Sequence, residues 1–348
     1  MTPDRPPVSI KDVAREANVS IGTVSNVLNR PEMVSKDRRT RVLQVIEELG
    51  YVRNDVARQL KAGNSRTIGL LVQDSSNPFY NEIALGAEAA AEKLGQAVIL
   101  GNAGLSAARE NLYLDLFEEQ RVRGVLVTPQ HPERARIDAL RSRGTPVVLV
   151  DEHAPPRLYC SLAVDDVEGG RTAVEHLLAT GRRRIAFVGG PDSLHQVRDR
   201  HAGAHQAVAA VPEASLEVVK ITALTVLEGR RAGEHVLALP ANRRPEAVFA
   251  ANDLVAVGLL QAFVFGHRLR VPEDVALIGY DDIEFATSAI VPLSSIRQPS
   301  RLIGRTAVEL LEDEIADPDH RHRHVSFQPE LVVRDSTLTP TPPRELRQ

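Results

Sequence analysis

Along the first fifty positions the apolar residues recur at helical spacing. Ile10, Val13, Ala14 and Ala17 share one face of a short helix predicted from Ile10 to Ala17. Asn18-Val19 breaks that pattern. Ser20 is a favourable N-cap, and Val24, Val27 and Leu28 restore the period over Ile21 to Asn29. A third helix is predicted from a cap at Ser35 to about Leu49. Its apolar side is Val42, Leu43, Val45, Ile46 and Leu49, and Gly50 stops it. Two short helices joined by a tight turn make a helix-turn-helix.

From Thr67 the rhythm changes. Short β-rich runs are predicted at 67–72, 97–101, 124–128, 146–150, 184–189, 217–221, 247–250 and 275–278. Amphipathic helical stretches such as 80–94, 107–120 and 165–179 alternate with them. Such alternation predicts the α/β class, with parallel sheets wrapped by helices. Ligands of such sheets bind beyond the C-terminal ends of the strands.

Charge sharpens this division. The 348 residues carry a net charge of -4, but residues 1–66 hold 12 basic and 8 acidic side chains against 30 and 38 in the remainder. A basic head on an acidic body points to a polyanionic partner for the head alone. The single cysteine, Cys160, excludes an internal disulfide and a multi-cysteine zinc site. It reads as a small buried hydrophobe on a strand. There is no apolar signal core near Met1 and no apolar run long enough to cross a bilayer, so the expected location is the cytoplasm.

In a helix-turn-helix the second helix enters the major groove with its N-terminal residues at the base edges. The candidates there are Ser20, Gly22, Thr23, Ser25, Asn26 and Asn29, all small or polar. Asn26 could read adenine, and Thr23 and Ser25 could hold phosphates. On a generic surface helix the reading as ordinary solvated residues would win for each of them, and it is the whole motif that decides. Lys36, Arg38, Arg39 and Arg41 crowd the start of the third helix, against its dipole. Phosphate contact and a solvated face account for them equally well. Asn54 can cap one further short helix ending at Leu60, which needs a partner to be stable. A linker follows at 61–65.

In the body, Asp74, Ser75, Asn77, Pro78 and Phe79 follow the first predicted strand. Asp151, the pair Asn252-Asp253 and Gly279-Tyr280-Asp281-Asp282 follow others. Carboxylates and amides beside an aromatic face suit a polyhydroxylated ligand. The same residue types favour helix N-caps, and either role fits each position taken alone.

The run Ile10-Lys11-Asp12-Val13-Ala14, then Val19-Ser20-Ile21-Gly22-Thr23-Val24-Ser25-Asn26-Val27-Leu28-Asn29, then Tyr51, Asn54 and Ala57-Arg58-Gln59-Leu60, closely resembles the LacI/GalR family of bacterial repressors. The body adds Asn77-Pro78-Phe79, Val164-Asp165, Gly169-Gly170, Ala251-Asn252-Asp253, Ile278-Gly279-Tyr280-Asp281-Asp282 and Arg334-Asp335-Ser336-Thr337. The resemblance spans residues 9–338. It implies a homodimeric transcriptional repressor and not an enzyme, bound to a palindromic DNA operator. Residues 8–62 would form the DNA-binding domain. Its hinge helix, 54–60, would use Asn54, Ala57 and Leu60 in the minor groove, with Leu60 as an apolar wedge. Asn26 stands where many members carry arginine, and Arg53 where many carry proline. Residues 67–338 would form a two-lobed effector domain related to periplasmic sugar-binding proteins. One lobe would hold about 67–165 and 297–325, the other about 166–296 and 326–338.

By the same resemblance Asp74, Phe79, Asp151, Arg200, Asn252, Asp281 and Gln298 face a small effector, expected to be a sugar or sugar derivative. A phosphorylated sugar or a nucleoside is the alternative. Arg198 competes with Arg200 for its role. In Asn252-Asp253 and Asp281-Asp282 one member should touch ligand and the other anchor. Release of DNA by the effector is the expected direction of control. A sugar transport protein, a sugar-modifying enzyme and an activator are the rival readings. No Gly-x-Ser-x-Gly elbow, P-loop or Rossmann fingerprint occurs, so no catalytic residue and no cofactor is expected. His320-Arg321-His322-Arg323-His324 reads as an exposed loop and not a metal site, because arginines between the imidazoles would repel a cation. The tail, 339–348, is Pro-rich and polar, hence expected to be disordered. It carries no leucine heptad, so a dimer is expected in place of a tetramer.

Overall fold

The computed structural model describes residues 8–51, 65–129, 134–154, 157–265, 268–317 and 319–338. The hinge residues Asn54, Ala57 and Leu60, and the tail, lie outside the described residues. The chain forms two compact units, one up to Ser65 and one from Arg66.

The first unit is the helical head: α1 (Ile10–Glu16), α2 (Ile21–Asn29) and α3 (Lys36–Leu49). Val13, Ala14, Ala17, Val24, Val27, Val42 and Val45 close its core. These are the residues whose helical spacing points inward. Asn18 makes the turn after α1 at φ 54, a left-handed conformation that Asn tolerates better than most residues. The Asp12 carboxylate accepts from the Ser9 N–H at 3.0 Å and ties down the start of α1. Gly50 ends α3 at φ 63. Ser35 does stand at the N-cap position of α3, but its side chain makes no capping bond.

The second unit holds two six-stranded sheets. The first contains β1 (Thr67–Val72), β2 (Ala97–Asn102), β3 (Gly124–Val127), β4 (Val147–Val150), β5 (Cys160–Val164) and β11 (His324–Phe327), in the order β11-β5-β4-β3-β1-β2. The second contains β6 (Arg184–Gly189), β7 (Ser215–Lys220), β8 (Ala247–Ala250), β9 (Ala276–Asp281), β10 (Ser294–Arg297) and β12 (Glu330–Val332), in the order β12-β10-β9-β8-β6-β7. Neighbouring strands are parallel, apart from the antiparallel pair of β10 and β12. The chain passes from the first sheet to the second after β5, back after β10, and across again after β11.

Helices cover both faces of each sheet. In the first lobe α4 (Pro78–Lys93) lies on one face together with the late helix Ser300–Ala316, while α5 (Ala107–Glu119) and α6 (Ala135–Ser142) take the other. In the second lobe α7 (Asp166–Ala179) and α8 (His195–Ala209) share one face, α9 (Val226–Ala238) and α10 (Asp253–Val264) the other. A short α11 (Glu284–Ser288) follows β9, and Ser300–Ala316 is α12.

Three helix pairs approach backbone to backbone through reciprocal glycines. A Cβ on Gly86 would lie 2.1 Å from the Arg301 carbonyl oxygen, and one on Gly304 1.9 Å from that of Ile83. Gly170 and Gly203 meet Arg200 and Val167 in the same way at 2.0 and 1.9 Å. Gly229 and Gly258 repeat the arrangement between α9 and α10. No other side chain fits at such distances.

Two expectations need correction. β5, β10, β11 and β12 are strands that the sequence pattern does not announce as separate runs. His320, His322 and His324 are half-buried, while Arg321 and Arg323 between them are exposed. An alternating backbone turns the imidazoles inward and the guanidinium groups outward. Among the described residues no helix is long and apolar enough to cross a membrane.

Candidate functional site

The C-terminal ends of the parallel strands in the two lobes face one cavity. The space between its walls is about 530 Å³, counting the part open to solvent. Of the residues expected there, Asp74, Phe79, Asp151, Arg200, Asn252 and Asp281 line it. Gln73, Tyr80 and Gln196 line it as well. Sequence spacing gives no signal for those three: Gln73 directly follows β1, while Tyr80 and Gln196 lie in the first turns of α4 and α8. Gln298 is not among the lining residues. It stands behind Asp281 and donates to its Oδ1 at 2.7 Å.

Strand ends hold the acids in unusual backbone. Asp151 follows β4 at φ 54, and Asp281 and Asp282 close β9 at φ 103 and 55. Left-handed backbone at non-glycine residues is strained, and such strain concentrates at functional sites.

Arg200 is 3% exposed. Glycine contact between α7 and α8 brings it to the start of α7, where its Nε donates to Asp166 Oδ1 at 2.9 Å. One terminal nitrogen donates to the Ala251 carbonyl at 2.7 Å and lies 3.8 Å from Asp281 Oδ1. The guanidinium carbon sits 3.6 Å from the Tyr280 ring centroid. Burial works against the charge, yet Asp166, Tyr280 and Asp281 raise its pKa above the usual arginine value. Arg198, the competing arginine, is exposed and bonds the backbone carbonyls of Asp192 and Ser193.

The two acidic pairs divide their labour. Asn252 lines the cavity while its Oδ1 caps α10 by accepting from Val255 N–H at 3.0 Å. Asp253 is buried behind it, accepting from Ile283 N–H and Ser295 Oγ. Asp281 faces the cavity, whereas Asp282 pairs with Arg297 and Arg334. Capping and cavity roles therefore coexist in Asn252, and in Asn77 too. Asn77 accepts from Phe79 N–H and donates across the cleft to Asp281 Oδ2 at 3.1 Å.

A second polar bridge joins the lobes: Gln196 Nε2 donates to Gln73 Oε1 at 3.1 Å. Tyr80 donates to the same oxygen at 3.0 Å and lies 3.4 Å from Asp151 Oδ2. Burial raises Asp151 well above the usual carboxylate range, and neighbouring Asp166 adds to the shift. Burial likewise pushes Asp281 up to about 6, against the pull of Arg200. The cavity thus carries more acidic than basic character, with its arginine already engaged.

In the head, α2 presents Gly22, Asn26 and Asn29 to solvent, with Thr23 and Ser25 half-buried. Ser20 is the N-cap: its Oγ accepts from Thr23 N–H at 3.1 Å and contacts Thr23 Oγ1 at 2.9 Å. Asn29 donates to the Ser25 carbonyl at 2.8 Å. Asn26 makes no side-chain hydrogen bond among the described residues, so its amide has both a donor and an acceptor to offer. Lys36, Arg38, Arg39 and Arg41 are exposed.

Comparison with known proteins agrees with both halves. Residues 9–54 match the model for bacterial regulatory proteins of the lacI family, and residues 174–337 match that for a periplasmic binding protein-like domain. The HTH-type transcriptional repressor PurR of Aliivibrio fischeri is 35% identical over 94% of this chain and 98% of its own. The lac repressor dimer bound to operator and the anti-inducer ONPF superposes with a TM-score of 0.80 at 28% identity, over 96% of this chain and 100% of that one. The transcriptional regulator CelR in complex with cellobiose gives a TM-score of 0.69 at 31% identity, over 95% and 100%. With a helix-turn-helix head, a two-sheet binding body and relatives matched end to end, the chain belongs to the LacI/GalR family of DNA-binding transcriptional repressors, which are not enzymes.

Proposed function

We propose that this repressor binds a palindromic operator as a homodimer and is controlled by a neutral, hydroxyl-rich effector, a sugar or sugar derivative, held between its lobes. The observation that carries the effector class is the state of Arg200. Its charge is taken up by Asp166, with Asp281 nearby, while Asp74, Asp151 and Asp281 line the cavity. Carboxylates accept from hydroxyl groups, and the arginine among the described lining residues is already engaged, which leaves no free cation there for a phosphate or carboxylate. A neutral polyol therefore fits better than a phosphorylated sugar. The cellobiose complex of CelR supports the same class.

The homodimer has its own support. β2 is an edge strand that leaves Ile99 and Leu100 exposed, and Leu85, Leu112 and Leu116 of the adjoining helices are exposed too. An uncovered apolar edge favours association with a like edge. The lac repressor is a dimer on its operator in the solved relative. In this reading Ser20, Gly22, Thr23, Ser25, Asn26 and Asn29 meet the major groove, and Asn54, Ala57 and Leu60 the minor groove. Effector binding alters lobe closure and so the spacing of the two hinges, which lowers affinity for DNA. Control of this kind requires the effector to bind the two states with different affinity.

Two experiments test it. Selection from random duplex DNA should return a palindrome with a flexible pyrimidine–purine step at its centre, relaxed by Leu60→Ala. An enriched site indifferent to Leu60 would remove the hinge from the mechanism. Calorimetric titration with neutral sugars and their phosphates should show binding of a neutral member and weakened operator binding in its presence. Binding of phosphorylated sugars alone would overturn the effector class.

A further inference from the structure

A second cluster of chemically capable side chains lies away from the cleft. Cys160 Sγ is 3.0 Å from Nε2 of His320 and 3.8 Å from Nδ1 of His322. All three donor atoms lie within 4.8 Å of one another. Around tetrahedral zinc, bond lengths of about 2.3 Å to sulfur and about 2.0 Å to nitrogen place the donors roughly 3.6 Å apart. The two observed sulfur–nitrogen separations bracket that value. A carboxylate stands beside one member of the trio. Glu314, on α12, puts Oε2 3.8 Å from the same His322 Nδ1, and this oxygen is buried without a hydrogen-bond partner.

We propose that Cys160, His320 and His322 bind one divalent transition-metal ion, Zn²⁺ in preference to Mg²⁺ or Ca²⁺, with the Glu314 carboxylate beside His322 as the nearby counter-charge. Thiolate and imidazole donors select the softer ion. Binding deprotonates Cys160 and releases that proton to solvent. The objection raised by the intervening arginines does not hold in the fold. Arg321 and Arg323 are exposed, and Arg323 pairs with Asp313.

Arg141 is the group that opposes the ion. Its guanidinium nitrogen lies 3.2 Å from Nε2 of His322. A metal on Nδ1 leaves the proton on Nε2, facing a donor that cannot accept it. Arg141 must therefore swing aside, and its charge weakens the site. Replacement by an acceptor at the same place should strengthen it, since ligating histidines are held by acceptors at the other nitrogen.

The site would have a structural consequence. Cys160 opens β5, at the opposite end of the strand from the effector cleft, and both histidines lie on the connection from α12 to β11. A bound ion pins that connection, which leads into the last crossing between lobes, to the first sheet.

The test uses full-length protein freed of metal by chelator. Titration with Co²⁺ should give a thiolate-to-cobalt charge-transfer band that saturates at one equivalent per chain, and Zn²⁺ should displace it. His320→Gln, on a connection outside the helices and strands, should weaken Co²⁺ binding at least about tenfold, and Arg141→Gln should tighten it. Zn²⁺ should also raise the melting temperature of the wild type and not that of His320→Gln. Absence of the band in folded wild type, or a band and affinity unchanged by His320→Gln, overturns the proposal.

Discussion

The head and the effector cleft satisfy their polar groups over very different lengths of chain. In the head the partners are three or four residues apart: Ser20 with Thr23, Asn29 with Ser25, Ser9 with Asp12. In the cleft Arg200 reaches Asp166 across 34 positions, Gln196 reaches Gln73 across 123, and Asn77 reaches Asp281 across 204. These head bonds each close within one helix and its cap, around a core shared by α1, α2 and α3. The cleft exists only when both sheets, their strand ends and their glycine-packed helices are in place together. Substitutions in the cleft should therefore spread, while those in the head should stay local.

The largest effect is expected at Arg200. Arg200→Ala leaves Asp166 buried without its cation, which destabilises the second unit by about 3–5 kcal/mol. Urea unfolding followed on that unit measures it. A loss below about 1 kcal/mol would mean that the pair is not integral to the body. Next comes Gly170→Ala. The new Cβ meets the Arg200 carbonyl oxygen at 2.0 Å, so α7 and α8 must separate. The expected loss is about 1–3 kcal/mol, accompanied by weaker effector binding because the Asp166–Arg200 pair widens. Loss of stability with effector affinity intact would separate helix packing from the cleft.

The same contrast explains what could be read in the sequence. α1, α2 and α3 are legible because period and caps are written in consecutive residues, as are the long strands β1 and β6. The acids at strand ends are legible as candidates, yet a helix cap and a cavity wall use the same residue types. Spacing cannot separate them, and Asn252 turns out to serve as both. Asp166 gives no signal in the sequence because its partner lies one helix away, and Gln298 reads as a cavity residue although its Nε2 is given to Asp281. The glycine pairs carry a faint signal: Gly170, Gly203, Gly229 and Gly258 each interrupt a helical pattern. Which backbone each one meets is fixed only by the fold. The histidines after α12 read differently from their place in the fold for the opposite reason. Their local charge pattern suggests exposure, whereas His324 pairs with Ser161 of β5 and His320 and His322 meet Cys160, which leaves all three half-buried.

Titration offers a finer probe of the cleft. Burial pushes Asp281 up to about 6 from an ordinary value of 3.8. In the unliganded unit the folded state therefore holds this proton more tightly. The stabilisation is full below about pH 3.8 and is lost as pH rises through about 6. Effector binding runs the other way. Hydroxyl donors favour the ionised carboxylate, so affinity should climb with pH to about 6 and level off above it. Below that point it should fall by up to about tenfold per unit. Calorimetry across this range in buffers of different ionisation heat would also detect the released proton. Asp281→Asn should flatten the profile. An unchanged slope in that variant would assign the titration to Asp151, which burial also raises.

The smallest effect tests the local side of the contrast. Ser20→Ala removes the side-chain acceptor for the Thr23 N–H at the start of α2. An N-cap of this kind is worth about 1 kcal/mol. Ser20 is exposed, and among the described residues its side-chain bonds go to Thr23, so the direct loss falls on the first turn of α2. In DNA-free protein the head should therefore melt earlier by that amount, seen by amide exchange on α2. Effector affinity and the unfolding of the second unit should not move. Operator binding should weaken by more than the stability change alone gives, because the cap also holds Thr23 and the first turn of α2 in the orientation that meets DNA in the proposed mode. A shift in effector affinity without DNA present would show that the head is not self-contained, and the division between local and long-range design would fail at its simplest point.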